Sequence, residues 1–317
     1  MTRRVVSVAL AALLLLGLVL WLSGGAARKD ADVLIPAGSS VTAAANILER
    51  EGVIASADRL LLHRRLFGPR DPIKPGEYRI KAGMGFGDIL ALLESGRVVQ
   101  RFVAVPEGLP AVLVHERLLA APLLTGAVAV PAEGSVLPDN YAYTRGEARS
   151  AVLSRMQQAM TREVDRLWSK RKPGLPIASK AEAVTLASIV EKETGRPDER
   201  RQVAAVYINR LRIGMPLQAD PTLIYPVTRG RPLGRRILRS EISGDTPYNT
   251  YTRRGLPPGP ITNPGRAAIA AVLDPAPIKA LYFVAQPGGH SAFAETLPEH
   301  NANVQRWYAY RRARGEM

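Results

Sequence analysis

The sequence predicts an α+β chain in three parts: an N-terminal apolar helix, a small α+β module, and a larger mixed domain organised round one capped helix. Three observations carry this expectation. An uncharged apolar run, residues 5–22, follows MTRR at the start of the chain. Beyond it, short strand patterns alternate with apolar residues at helical spacing, each bounded by Gly, Pro or Ser. Farther on, a helix opened by Ser179 and Glu182 ends in LASIVEKETG, which sets two glutamates in an apolar stretch.

The first element, VVSVALAALLLLGLVLWL, rises about 27 Å as a helix, enough for a thin bilayer. Arg3 and Arg4 stay in the cytosol under the positive-inside rule, which puts everything after Leu22 outside. The expected division is a cytosolic N-terminus (1–4), a transmembrane anchor (5–22), a linker (23–31), a small module (32–99) and a larger domain (100–317). A cleaved signal peptide is the alternative to a retained anchor, because the residues from Gly24 to Ala27 are small. Lysine and arginine outnumber acidic residues by 43 to 28, a formal charge of +15, which favours an acidic polymer or an anionic membrane surface. Without cysteine there is no disulfide, thiolate nucleophile, thiolate metal site or lipidated cysteine. Nucleic acid needs a cytosolic domain, which the anchor argues against, so none is expected as a partner.

Within the module, VLIPAGSS reads as a strand and turn, and residues 41–51 as a helix with Ser40 or Thr42 as cap and Gly52 as stop. A second helix covers 57–67, KPGEYRI is a strand entered through a Pro-Gly turn, and 87–95 is a third helix. His63 is expected on a solvated surface. In the larger domain FVAVPEG is a strand into a turn, EGSVLPDNYAY is turn-rich, residues 150–168 form an amphipathic helix, and KRKPGLP is a loop.

The glutamate helix is expected from Ser179 to about Thr194, started by a Ser179–Glu182 capping box and stopped by a left-handed Gly195, with Pro197 beginning the next helix. At about 100° per residue from Leu186, Ile189 falls near −60°, Val190 near +40°, Glu193 near −20° and Glu191 near +140°. Glu193 therefore lies in the apolar arc, where burial raises a carboxyl's pKa and suits it to be a general acid. The other reading of the same pattern is a charge at a frayed helix end, paired with an arginine of the next helix. Glu191 is expected to be solvated or paired, although Val184 and Ala187 share its side.

Farther on, QADPT follows a helix that ends near Arg212 with Gly214 as its stop. Gln218, Asp220 and Thr222 offer an amide, a carboxylate and a hydroxyl to a sugar, or Asp220 caps a helix through an Asx turn. YNTY combines the aromatic faces of Tyr248 and Tyr251 with the amide of Asn249, suiting a sugar, or its tyrosines are ordinary packing residues, and GLPPGPITNPG reads as a rigid loop shaping a cleft. His290 and His300 are expected to be structural, and no metal site is expected. The arginines of TRGRPLGRRILR read as a solvated loop, with lactyl and peptide carboxylates or phospholipid as the alternative counterparts.

Taken together, ASIVEKETG, VYINRLRIGMPLQADPTLIY, TPYNTYTRRGLPPGPITNPG, LYFVAQPGGHSAF and LPEHN resemble, in order and separation, the MltG/YceG-like family of endolytic murein transglycosylases. Upstream, Glu133, Gly134, Pro138, Asp139 and Tyr141 fit the family's EG...PD..Y segment, but Leu137 and Asn140 stand where relatives carry an aromatic residue and a threonine. The resemblance implies a LysM-like module at 32–99 and a catalytic domain with a lysozyme-like glutamate helix. It implies a lyase that cuts the β-1,4 bond between N-acetylmuramic acid and N-acetylglucosamine in nascent peptidoglycan strands, leaves a 1,6-anhydro end and limits strand length. It names Glu193 as the catalytic residue, in agreement with the helical phase, and leaves Glu191 as a possible modulator. The substrate contacts implied are Gln218, Asp220, Thr222, Tyr248, Asn249 and Tyr251, with no cofactor. Implied surroundings are the inner (plasma) membrane, a periplasmic catalytic domain and neighbouring glycan-synthesising enzymes. The alternatives are a hydrolytic muramidase and a non-catalytic peptidoglycan-binding protein.

Overall fold

The computed structural model describes residues 8, 13, 17, 27–68 and 71–315. Apart from Val8, Leu13 and Gly17, the expected anchor lies outside the described residues, among which no helix is long and apolar enough to cross a membrane. Helices and small two-stranded sheets make up the protein, an α+β architecture. The chain divides into two compact units, Met1–Arg101 with Ala142–Gly146, and Phe102–Tyr141 with Glu147–Met317.

In the smaller unit β1 (Ala31–Ile35) is followed by α1 (Val41–Arg50), α2 (Ala57–Phe67), β2 (Gly76–Ile80) and α3 (Phe86–Ser95). β1 and β2 pair antiparallel, with Ala31 opposite Ile80 and Val33 opposite Tyr78. Alternation puts Val33, Ile35, Tyr78 and Ile80 into a core completed by Leu48, Ile54, Leu60, Phe86 and Leu90. Ser40 caps α1 by accepting from the Ala43 N–H at 3.1 Å, and Ser56 caps α2 through Arg59.

Three expectations are corrected here. Residues 27–31 are no linker: Ala27 is buried, and its N–H donates to the Met84 carbonyl at 3.0 Å. The boundary is not a single cut at 99/100, because residues 142–146 return to the small unit. Glu77 is 2 % exposed and pairs with both Arg101 and Arg145, the latter at 2.9 Å, and a carboxylate buried so fully needs such partners. His63 is half-buried rather than solvated, its ring 5.5 Å from that of Phe67 and 5.9 Å from that of Phe86.

The larger unit contains α4 (Ala111–Ala120), α5 (Arg149–Trp168), α6 (Lys180–Glu193), α7 (Arg200–Arg212), α8 (Asp220–Thr228), α9 (Arg239–Ser243), α10 (Arg266–Leu273), the antiparallel pair β5 (Tyr282–Ala285) and β6 (Ser291–Ala294), and α11 (Leu297–Ala313). The strands β3 (Arg101–Ala104) and β4 (Asn140–Tyr143) also pair, and the unit boundary falls within each. α6 is the central element: every residue from Ala183 to Val190 is buried, against α5, α7, α8 and α10. Its Ser188 hydroxyl accepts from the Ile261 N–H at 3.0 Å, and Asn263 accepts from the Val136 N–H and donates to the Leu109 carbonyl. These bonds hold the Pro- and Gly-rich loop rigidly beside the helix.

α6 begins and ends where expected, between Ser179 as N-cap and Thr194 as C-cap, but three details at its ends differ. Ser179 does accept from the Glu182 N–H at 3.2 Å, but the Glu182 carboxylate reaches Ala178 at 2.7 Å, one residue upstream of a closed capping box. Thr194 leaves the helix in an extended conformation, φ −139° and ψ 127°, so Gly195 is not the left-handed stop. Pro197 opens a turn, and α7 begins only at Arg200.

Candidate active site

Glu193, the last residue of α6, lines an open cavity of about 330 Å³ together with residues from five other segments. α7 contributes Tyr207 and Arg210, three residues apart and so on one face. Gln218 and Asp220 come from the entry to α8, Tyr251 from the following loop, Phe283 from β5 and His300 from α11. Burial pushes the Glu193 carboxyl up to about 7, against the Tyr207 hydroxyl, which donates to it and favours the carboxylate. The nearby Asp220 charge raises it further and Arg210 lowers it.

Pairing with an arginine, the second sequence reading of Glu193, is not what the structure contains. Arg210 is 8 % exposed and directs its N–H groups at the carbonyls of Leu281 and Leu217, both at 2.7 Å, and at the Gln218 amide oxygen at 3.3 Å. Its charge reaches Glu193 through space, while its hydrogen bonds fix the segment ahead of α8. Gln218 has φ +52°, a left-handed conformation unusual for a residue with a Cβ, and its N–H donates to the Thr250 carbonyl at 2.9 Å. Asp220 does not cap α8; it is its first residue, with Ala219 as N-cap, and it accepts from the Tyr251 hydroxyl.

Of the six residues expected to hold sugar, Gln218, Asp220 and Tyr251 line this cavity and three do not. Thr222 is fully buried, bonded to the Ala219 carbonyl and the Thr250 hydroxyl. Asn249 is 1 % exposed and donates to the Ile242 and Gly244 carbonyls while accepting from Tyr251 N–H, so its amide is committed to shaping the loop. Tyr248 packs on Tyr225, ring centroids 4.9 Å apart, outside the cavity.

Glu191 is paired, one of the two outcomes expected for it, and is not solvated. Its side chain is 6 % exposed, accepts from the Gly265 N–H at 2.8 Å and lies 3.8 Å from Arg200. Burial raises its pKa, and the Glu107 charge adds to this. α6 is enclosed on all sides, so no face was left to put this residue in solvent.

Sequence reasoning missed Tyr207, Arg210, Phe283 and His300. Tyr207 and Arg210 carry an i, i+3 signal in VYINRLR, but it becomes informative only once α6 and α7 are known to pack. His300 stacks on Tyr282 at 5.2 Å, and its Nδ1 is buried without a hydrogen-bond partner among the described residues. Burial lowers its pKa, keeping the ring neutral in the cleft wall rather than serving as a bonded structural histidine. His290 lies 3.4 Å from Glu199 and, with Asp198, completes a group close enough for a metal ion. Both Glu199 oxygens, however, accept from Ser291, at 2.8 Å each.

A second buried carboxyl, Glu133, is pushed up to about 7 by burial; it accepts from the Ala111 N–H at 2.8 Å and from the Tyr225 hydroxyl. It does not line the Glu193 cavity. Leu137, one of the two departures from the family pattern, is 1 % exposed and belongs to the core.

Comparison with known proteins adds to this geometry. Residues 33–306 match the model of the YceG-like family. An endolytic murein transglycosylase of Bacillus subtilis is 28 % identical over 313 residues, covering 88 % of this chain and 85 % of that protein. Another, from Streptococcus pneumoniae serotype 2, is 26 % identical over 326 residues, 87 % of this chain and 58 % of that protein. The crystal structure of a YceG-like protein from Listeria monocytogenes shares the fold with a TM-score of 0.55 at 27 % identity, over 86 % of this chain and 98 % of that one.

Proposed function

This chain belongs to the YceG-like family, and on that premise we propose that it is an endolytic lytic transglycosylase acting on murein. The observation that carries the reading is Glu193, a carboxyl raised to about 7 at the wall of an open cleft. Near neutral pH a useful fraction of it is protonated, as general-acid catalysis requires. Glu193 donates its proton to the oxygen linking N-acetylmuramic acid to N-acetylglucosamine as an oxocarbenium-like state forms, which the substrate's own N-acetyl group stabilises. The carboxylate left behind, held by Tyr207, then takes the proton of the muramyl C6 hydroxyl. That oxygen attacks the anomeric carbon, closing a 1,6-anhydro ring without consuming water and returning Glu193 to its acid form. Gln218, Asp220 and Tyr251 orient the sugar, and Phe283 gives it an apolar face.

Residues 5–22 act as the single-pass anchor in the inner membrane, with the catalytic unit in the periplasm, where nascent strands leave their synthases. The smaller unit, with its strand-helix-helix-strand order, serves as the LysM-like module on the glycan side. In cells carrying Glu193→Gln, glycan strands lengthen, read by chromatography of strands freed of their peptides. Unchanged strand lengths contradict the catalytic reading and favour a binding protein that works without Glu193.

A second reading rests on Asp220. Two carboxylates flank the scissile bond in most glycosidases, and Asp220 lines the same cleft as Glu193. As a base toward water it makes the enzyme a muramidase. Its hydrogen bond from Tyr251 favours the carboxylate but also occupies one of its oxygens, and the one-carboxyl route is preferred.

A further inference from the structure

A second hollow, of about 410 Å³, lies in the same unit as the Glu193 cleft. Consecutive residues line the two: Glu193 and Asp220 face the cleft, Lys192 and Pro221 face the hollow. Adjacent Cα atoms lie about 3.8 Å apart, so the hollow and the cleft share a wall at the end of α6 and the start of α8. Its size falls within the roughly 300–1,000 Å³ of ordinary ligand sites.

The walls of the two differ in chemistry. Leu109, Leu113, Ile224, Tyr225 and Leu233 make the hollow largely apolar. Gly230 holds the outer wall close: at φ +82°, a Cβ there comes within 2.6 Å of Pro110. Two cations stand at the rim. Arg231 is already paired with Glu116, whereas the Lys192 ammonium is exposed and has no ion pair among the described residues.

We infer that this hollow is the subsite for the peptide stem of the muramyl residue at the scissile bond, its apolar walls taking alanine methyls and Lys192 taking a stem carboxylate. The inference rests on the reading of the Glu193 cleft as the place where murein is cut. An occupant of this hollow must be joined to the substrate close to the bond being broken, because Lys192 and Glu193 are neighbours in the chain. Each internal muramyl residue that keeps its stem carries it on the lactyl ether at C3, whereas a polyprenyl tail is present only at a strand's end. An extended stem of four or five residues spans about 13–18 Å, enough to leave the cleft and enter the hollow. The unpaired ammonium matches the anionic stem, and the chain's excess of positive charge draws such a polymer in.

The test compares kcat/KM of the full chain on glycan strands with intact stems and on the same strands stripped by an amidase. Stripped strands serve as each variant's own reference. The parent prefers intact strands by about tenfold or more, the scale of discrimination a filled pocket provides. Leu113→Trp, which fills the hollow, and Lys192→Gln, which removes its cation, each lower that preference severalfold, chiefly by raising KM for intact strands. A parent without preference, or a preference that survives both substitutions, overturns the subsite while cleavage of stripped strands leaves the transglycosylase reading standing. If the substitutions instead erase a preference for lipid-linked over lipid-free strands, the hollow belongs to a polyprenyl tail and the inference is overturned. A parent that cuts neither strand overturns both the reading and the subsite.

Discussion

Glu193 and Glu133 are both raised to about 7 by burial, yet only Glu193 opens onto the cleft. Burial alone therefore does not mark the acid; burial beside substrate space does. Because the acid form is needed, kcat/KM falls as pH rises through about 7. Tyr207 stabilises the carboxylate, so Tyr207→Phe moves that falling limb to higher pH, and a pH profile of the variant beside the parent measures it. A limb that stays in place or moves to lower pH means that Tyr207 does not act on Glu193. At this scale the sequence was legible where one helix sufficed: the phase of Glu193 relative to Leu186 and Ile189 placed it correctly. For Glu191 pairing was legible as one of two outcomes, but its partners Gly265 and Arg200 were not, because no periodicity within α6 reveals them. Asn249 and Thr222 show the same limit. Their polar atoms satisfy neighbouring backbone and hydroxyl groups, and residue type cannot distinguish that duty from sugar binding.

Among elements, α6 depends on contacts that come from elsewhere in the larger unit. Gly134, at φ +74°, sits where a Cβ meets Pro260 at 2.6 Å and Val184 at 2.9 Å. Gly134→Ala therefore strains the backbone and crowds the middle of α6 together, destabilising the protein by about 2 kcal/mol or more. Thermal or denaturant melting shows this as a lowered midpoint, and a variant as stable as the parent contradicts the packing described. The helices of the small unit were readable close to the residue, since their caps and stops are local: Ser40, and Gly52 at φ +69°. The bounds of α6 were readable too, with Ser179 as N-cap and Thr194 as C-cap, but the bonds that fasten the chain on either side were not. The Glu182 carboxylate goes to Ala178, and the turn before α7 is fastened by Glu199 to Ser291 on a distant strand. The bond from Ser291 to Glu199, made across 92 residues, leaves no signature in a local motif.

For the whole molecule, the carboxyls raised by burial, Glu133, Glu191 and Glu193 among them, set the sign of a pH dependence. Between the ordinary carboxyl value and about 7 the folded protein keeps protons that the unfolded chain has already shed. Stability therefore falls as pH rises through that window and levels off above it. Glu133→Gln removes one of these contributions and flattens the slope of Tm against pH over the same range. Ion-paired groups such as Asp139 and Asp274, held below the ordinary value, act at lower pH and in the opposite sense. Division into a small and a large unit was legible from the alternation of strand and helix patterns. The return of residues 142–146 to the small unit was not, because it depends on Arg145 meeting the buried Glu77. At this scale the central claim is that a single carboxyl runs the whole reaction. Mass spectrometry of the new glycan ends made by the purified full chain tests it most directly. The account predicts muramyl ends lighter by one water than reducing ends, and none from Glu193→Gln; reducing ends from the parent, or undiminished anhydro ends from Glu193→Gln, contradict it.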